Sequence, residues 1–142
     1  MTHLALPNSE IRRGVQFAPD PALVDDAALL YPGAGALPPS ALRALRPRTL
    51  VVLDGTWGEA AKLYGRNPFL HRLPRVGFTP STPSGYRIRR EPAAHCWSTI
   101  EAVAHVLGVL ADDPERFAPL LAPFRHLVAT QLAYGPARAV TL

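Results

Sequence analysis

Hydrophobic and polar positions along the chain form short apolar runs separated by turn residues. "AALLYPGAGALPP" (27 to 39) reads as a brief buried strand followed by a Pro/Gly turn. "SALRAL" (40 to 45) gives one or two helical turns with Ser40 as N-cap. "TLVVLD" (49 to 54) is continuous, β-branched and too short for a helix, so it predicts a buried strand. A helix is predicted from Trp57 to Tyr64, ended by Gly65, with Thr56 and Glu59 at the T-x-x-E spacing of a capping box. "RVGF" (75 to 78) suits a third strand and "YRIRR" (86 to 90) alternates like an exposed one, with "TPSTPSG" (79 to 85) as a loop between them. "STIEAVAHVLGVL" (98 to 110) opens on a second capping box, Ser98 to Glu101. Its Ile100, Val103, Leu107 and Leu110 share one helical face, which Val106 and Val109 widen. Beyond Asp112-Asp113-Pro114, helical spacing from Phe117 continues to about Leu132, with Pro119 and Pro123 kinking that segment or delaying its start. Residues 1 to 27 have no clear period.

Strands alternating with helices predict an α/β fold: a mainly parallel sheet with helices on both faces. The 142 residues are 48% apolar and are expected to form a single domain, 1–142. At this size folding buries about 70% of the unfolded chain's surface, enough for a core without staples. No apolar run reaches transmembrane length and the start lacks a signal-peptide core, so a cytoplasmic location is expected. Cys96 is the only cysteine, which excludes a disulfide framework and a thiolate zinc site. The five histidines form no HxxxH or HxH pair, so no metal is expected.

Charge changes the picture through its placement. Fourteen of the fifteen cations are arginine, and from Arg66 to Arg90 six arginines occur with no acidic residue. An acid-free arginine segment suits a polyanionic partner, because guanidinium grips phosphate bidentately and is desolvated more easily than an ammonium. A solvated loop with arginine-rich codon usage reads the same way, and composition alone does not separate the two.

In open α/β sheets, ligands bind beyond the carboxyl ends of strands. "YPGAG" and "DGTW" occupy such places, and the helix start at Thr56 offers N–H groups to a carboxylate or phosphate. The dinucleotide-binding, P-loop and G-x-S-x-G patterns are missing. Each notable residue also has a structural reading. Asp54 can close an Asx-turn, Trp57 can anchor a core, and Ser98 with Glu101 can be only a cap. Tyr86 can be a strand aromatic, and Cys96 a small buried hydrophobe.

Taken together, "LDGTW" (53 to 57), "NPFLHRLPRV" (67 to 76), "SGYRIRREP" (84 to 92) and "STIEAVAHVL" (98 to 107) resemble, in order and spacing, the DTW-domain family. That resemblance covers about residues 28 to 110 and implies a tRNA-uridine aminocarboxypropyltransferase with a SPOUT-like fold and a C-terminal trefoil knot. It implies S-adenosylmethionine as donor and tRNA as acceptor, with the 3-amino-3-carboxypropyl group moving to a uridine ring nitrogen. The family's cysteine-rich N-terminal segment has no counterpart here, and His3 and Glu10 match its following His and Glu only faintly.

Under this resemblance the donor lies among Pro32, Gly33, Asp54, Gly55, Thr56, Leu73, Val76, Ser98 and Thr99. Asp54 and Trp57 are the catalytic candidates. A carboxylate partly desolvated at the site mouth suits removal of the uridine imide proton, and the indole suits stacking on uracil or walling the pocket. Arg75, Tyr86, Arg87, Arg89 and Arg90 are the RNA-binding candidates. Two other readings stay open: a SPOUT-like RNA methyltransferase, and a catalytically idle RNA-binding module.

Overall fold

The structure is a computed structural model that describes residue 6, residues 8–78 and residues 98–133. Contacts divide the chain into two compact units, one of residues 10–78 and one of residues 1–9 with 79–142. "TPSTPSG", "YRIRR" and Cys96 lie outside the described residues.

The first unit is α/β, with a small sheet of three parallel strands in the order β2-β1-β3. Strand β1 is Ala27–Leu30, β2 is Thr49–Val52 and β3 is Arg75–Val76. A single turn of helix, α1 (Pro21–Val24), precedes β1 within the stretch that shows no period; four residues are too few to display one. Between β1 and β2 lie a 3-10 turn, Pro39–Ala41, and α2, Leu42–Leu45. Ser40 falls inside that turn and does not cap it. Pro39 starts the turn instead, since a first helical position needs no N–H and favours the fixed φ of proline.

The prediction of a buried second strand needs correction. All four β2 residues are half-buried, because β2 pairs on one side only among the described strands, whereas the central β1 buries Ala27, Ala28 and Leu29. Side chains alternate across the sheet. Leu29 and Arg75 are register partners, so they share one face, and Leu30 and Val76 share the other. On the Leu29 face, Ala27 and Leu29 pack with Phe69, Leu70 and Leu73, with Tyr31, Val51, Leu53 and Tyr64 around them. Burying a leucine such as Leu29 fully contributes about 1.5–3 kcal/mol.

Helix α3 runs Trp57–Arg66, through Gly65 and two residues past the predicted end. Its stop is Asn67. The Asn67 amide donates to the Leu63 carbonyl at 2.8 Å, and Pro68 then begins a 3-10 turn, Pro68–Arg72, that leads to β3. Strand β3 is shorter than "RVGF"; on its other edge Arg75 O accepts from Leu37 N–H at 2.8 Å and Gly77 N–H donates to Leu37 O at 3.0 Å, a parallel bridge to the β1 loop.

In the second unit, α4 (Thr99–Leu110) buries Ile100 and Ala104 against Leu120 and Phe124. The last helix, α5 (Leu121–Ala133), begins after a 3-10 turn, Ala118–Leu120. The prolines therefore delay its start: Pro119 lies in the 3-10 turn and Pro123 in the first helical turn, where an N–H has no intrahelical acceptor. No helix among the described residues is long and apolar enough to cross a membrane.

Candidate active site

The three strands deliver their carboxyl ends side by side. Leu30 pairs with Val52 and with Val76, so the loops at Tyr31, Leu53 and Gly77 leave adjacent positions. The chain leaves β1 toward β2 and then crosses to β3 on the far side, the kind of switch at which α/β sheets hold ligands.

At the β2 end, Asp54 is exposed, and its Oδ1 accepts from Gly55 N–H at 3.1 Å. Gly55 has φ 134°, and a Cβ there would fall 2.7 Å from Glu59 Oε2, so this turn requires glycine. The capping box is complete: Thr56 Oγ1 accepts from Glu59 N–H at 3.2 Å, and Glu59 Oε2 accepts from Thr56 N–H at 2.6 Å. That cap contributes about 1 kcal/mol and leaves Trp57 and Gly58 N–H without an intrahelical acceptor. Trp57 is 43% exposed, so it is not the core anchor that a lone tryptophan often is.

At the β1 end, Pro32 and Gly33 are exposed, and the loop they open is clamped from β3. The Arg75 guanidinium donates to the Ala34 carbonyl. A Cβ at Gly33 would sit 3.4 Å from Arg75 Nη1, and one at Gly35 would sit 3.5 Å from Nη2. Arg75 Cζ also lies 5.9 Å from the Tyr64 ring centroid. Tyr64 stacks on Tyr31 with centroids 4.6 Å apart and rings 18° from parallel, and meets His71 on a tilted contact at 4.3 Å. His71 Nε2 also lies 2.8 Å from Tyr64 O. Gly77 closes the arrangement from beneath: a Cβ there would lie 2.6 Å from Pro32 Cα.

Of the residues expected around the donor, Pro32, Gly33, Asp54, Gly55 and Thr56 lie on these adjoining loops. Leu73 and Val76 are buried in the first unit, with the Val76 carbonyl accepting from Tyr31 N–H and Leu73 N–H donating to Leu70 O, so neither is open to a ligand in this structure. Ser98 and Thr99 open α4 in the second unit, where Ser98 Oγ accepts from Glu101 N–H at 3.4 Å and Glu101 Oε2 accepts from Ser98 N–H at 2.8 Å. Arg75, expected on the RNA, is occupied by the Ala34 carbonyl and the Tyr64 ring. Tyr86, Arg87, Arg89 and Arg90 lie outside the described residues. Sequence reasoning passed over Tyr31 and Tyr64. One signal for Tyr64 was available, since it follows Trp57 by seven residues and so shares its helical face.

A parallel α/β sheet with two glycine-bearing loops and an exposed Asp–x–Thr–Trp turn at its carboxyl edge is the class of α/β domain in which ligands, where they occur, sit at such a switch point. Residues 1–132 match the DTW domain, and the chain belongs to the DTW-domain family. Over 108 residues it is 39% identical to tRNA-uridine aminocarboxypropyltransferase 2 of Drosophila melanogaster, covering 75% of this chain and 43% of that protein. It is 37% identical over 111 residues to the protein of the same name from Mus musculus, and 34% over 110 residues to that from Macaca fascicularis. Each of these two matches covers 75% of this chain and 37% of the relative. The chain thus spans about two fifths of the length of these curated relatives. No solved structure matches it at a significant level.

Proposed function

We propose that this domain transfers the 3-amino-3-carboxypropyl group of S-adenosylmethionine to a uridine ring nitrogen in tRNA. The observation that carries the proposal is the Asp54–Trp57 turn, exposed at the edge where the β1 and β2 loops adjoin. The names of the relatives point to the same chemistry.

The residues present suit such a donor. Gly33 and Gly35 bring backbone close without a side chain, and the unbonded N–H groups of Trp57 and Gly58 suit its carboxylate. Once bound, its sulfonium supplies an activated carbon, so the transfer needs no metal. Asp54 takes the imide proton of the uridine as the new N–C bond forms and the C–S bond breaks. In the free protein Asp54 is exposed, so the drying that a general base requires comes from the bound uracil and from Trp57 stacked on it. Such stacking is worth roughly 1–3 kcal/mol. Arg75 acts by holding the Gly33–Gly35 loop in place, with its charge turned to that loop rather than to RNA.

A SPOUT-like arrangement with a C-terminal trefoil knot and a cytoplasmic location accompany this function. The parallel order β2-β1-β3 suits the α/β part of the first, and an experimental structure through residues 79–142 tests the knot. The function is tested by incubating the protein with unmodified tRNA and donor, then weighing the nucleosides. An aminocarboxypropyl increment on uridine is expected. A methyl increment makes the protein a methyltransferase, and no increment with tRNA still bound makes it an RNA-binding module.

A further inference from the structure

The described residues hold a concave surface at the end of the sheet opposite the Asp54 turn. It is a groove of about 570 Å³ whose lining includes Gln16, Phe17, Asp25, Arg66, Phe69 and Arg72. Asp25 lies just before β1 and Arg72 just before β3, so the groove opens at the amino edge, whereas Asp54 follows the carboxyl edge of β2. Four-residue strands separate the two edges by roughly 13 Å, a short span for an RNA substrate.

Buried hydrogen bonds hold both walls. Asn67 is 1% exposed; its Oδ1 accepts from Phe17 N–H at 2.8 Å and its Nδ2 donates to Val15 O at 3.0 Å, while the same amide holds Leu63. Phe69 and Phe17 give the groove an apolar lining. Arg12 pairs with Glu10 and Asp20, and Arg48 with Asp26, but among the described residues neither Arg66 nor Arg72 forms an ion pair. Lys62, exposed one helical turn before Arg66, extends the row, and Asp25 is the one acid among the lining residues. Two unpaired guanidinium groups over an apolar surface suit consecutive phosphates of a polynucleotide.

Building on the tRNA substrate argued above, we propose that Arg66 and Arg72 form a second RNA-backbone site, which grips the tRNA away from the reacting uridine. Neither residue contacts the donor loops, so the site sets substrate affinity and leaves donor binding alone.

The test is a tRNA titration at several salt concentrations for the wild type, Arg66→Gln/Arg72→Gln, and a control of equal charge loss, Arg13→Gln/Arg125→Gln. Two lost phosphate contacts should flatten the log–log salt slope by about 1.4–1.8. Over a fourfold rise in salt, the wild type should therefore lose about tenfold more affinity than the groove variant. The control should keep the wild-type slope, and calorimetry should give all three proteins the same donor affinity. Equal slopes for wild type and groove variant, or equal flattening in both variants, overturn the site; an acidic protein partner in the groove gives the first of these. A wild type that binds no tRNA at any salt instead overturns the function proposed above.

Discussion

Replacing Arg75 by leucine removes two interactions that hold the Gly33–Gly35 loop. The first is the charge-assisted hydrogen bond to Ala34 O, worth about 1.5–3 kcal/mol in general. The second is the contact over Tyr64 at 5.9 Å, at the outer limit for a cation–π interaction and worth about 0.5–1 kcal/mol at exposed sites. Arg75 is half-buried, so the lower ends apply, and leucine recovers part of the lost packing. The net loss of loop order is about 1–2 kcal/mol. If the donor binds only the clamped loop, its apparent affinity falls with the population of that loop, which makes donor binding about 5- to 30-fold weaker. Isothermal calorimetry with S-adenosylmethionine measures this directly. Arg75→Lys should fall between wild type and Arg75→Leu, since an ammonium still reaches a carbonyl but loses the planar fork and the stacking. The salt slope of tRNA binding should not change in either variant. Unchanged donor affinity together with a slope flattened by about 0.7–0.9 would refute the clamp and return Arg75 to the RNA.

Gly77→Ala should destabilise the fold by about 1–3 kcal/mol in urea melts, because its Cβ meets Pro32 Cα, part of the backbone, at 2.6 Å. Asn67→Ala strips partners from Phe17 N–H and the Val15 and Leu63 carbonyls, and a loss of about 3 kcal/mol is expected by the same assay. His105 is exposed overall, yet desolvation of its ring lowers its pKa below the ordinary 6.5. The unfolded chain therefore takes up this proton first as pH falls, so the stability His105 contributes is present above about pH 6.5 and is lost through the window below it. His105→Gln should flatten that part of a stability–pH curve.

What was legible in the sequence was local. Both capping boxes stand where T-x-x-E and S-x-x-E put them, because a cap is made within four residues. The parallel sheet was legible as well, from short apolar runs separated by helical segments. Features that depend on distant partners were not. Gly65 looked like a helix stop, but the stop is Asn67, whose amide is held by Val15 and Phe17 some fifty residues earlier. The resemblance set Arg75 toward RNA; that strand register also turns it to the face of Leu29, within reach of the Ala34 carbonyl and Tyr64, is a relation no local spacing carries. The Tyr31–Tyr64 stack likewise joins a strand end to a helix end, and no spacing rule connects them.

The central claim is that Asp54 takes the proton at the carboxyl edge of the sheet. Nucleoside mass spectrometry of tRNA modified by wild type and by Asp54→Asn, with donor calorimetry beside it, tests it most directly. Asparagine preserves the acceptor for Gly55 N–H, so fold and donor affinity should hold while aminocarboxypropyl-uridine forms at least ~100-fold more slowly, the scale of a lost general base. Product formed at a near wild-type rate by Asp54→Asn would contradict the claim and leave Asp54 as the residue that closes the turn.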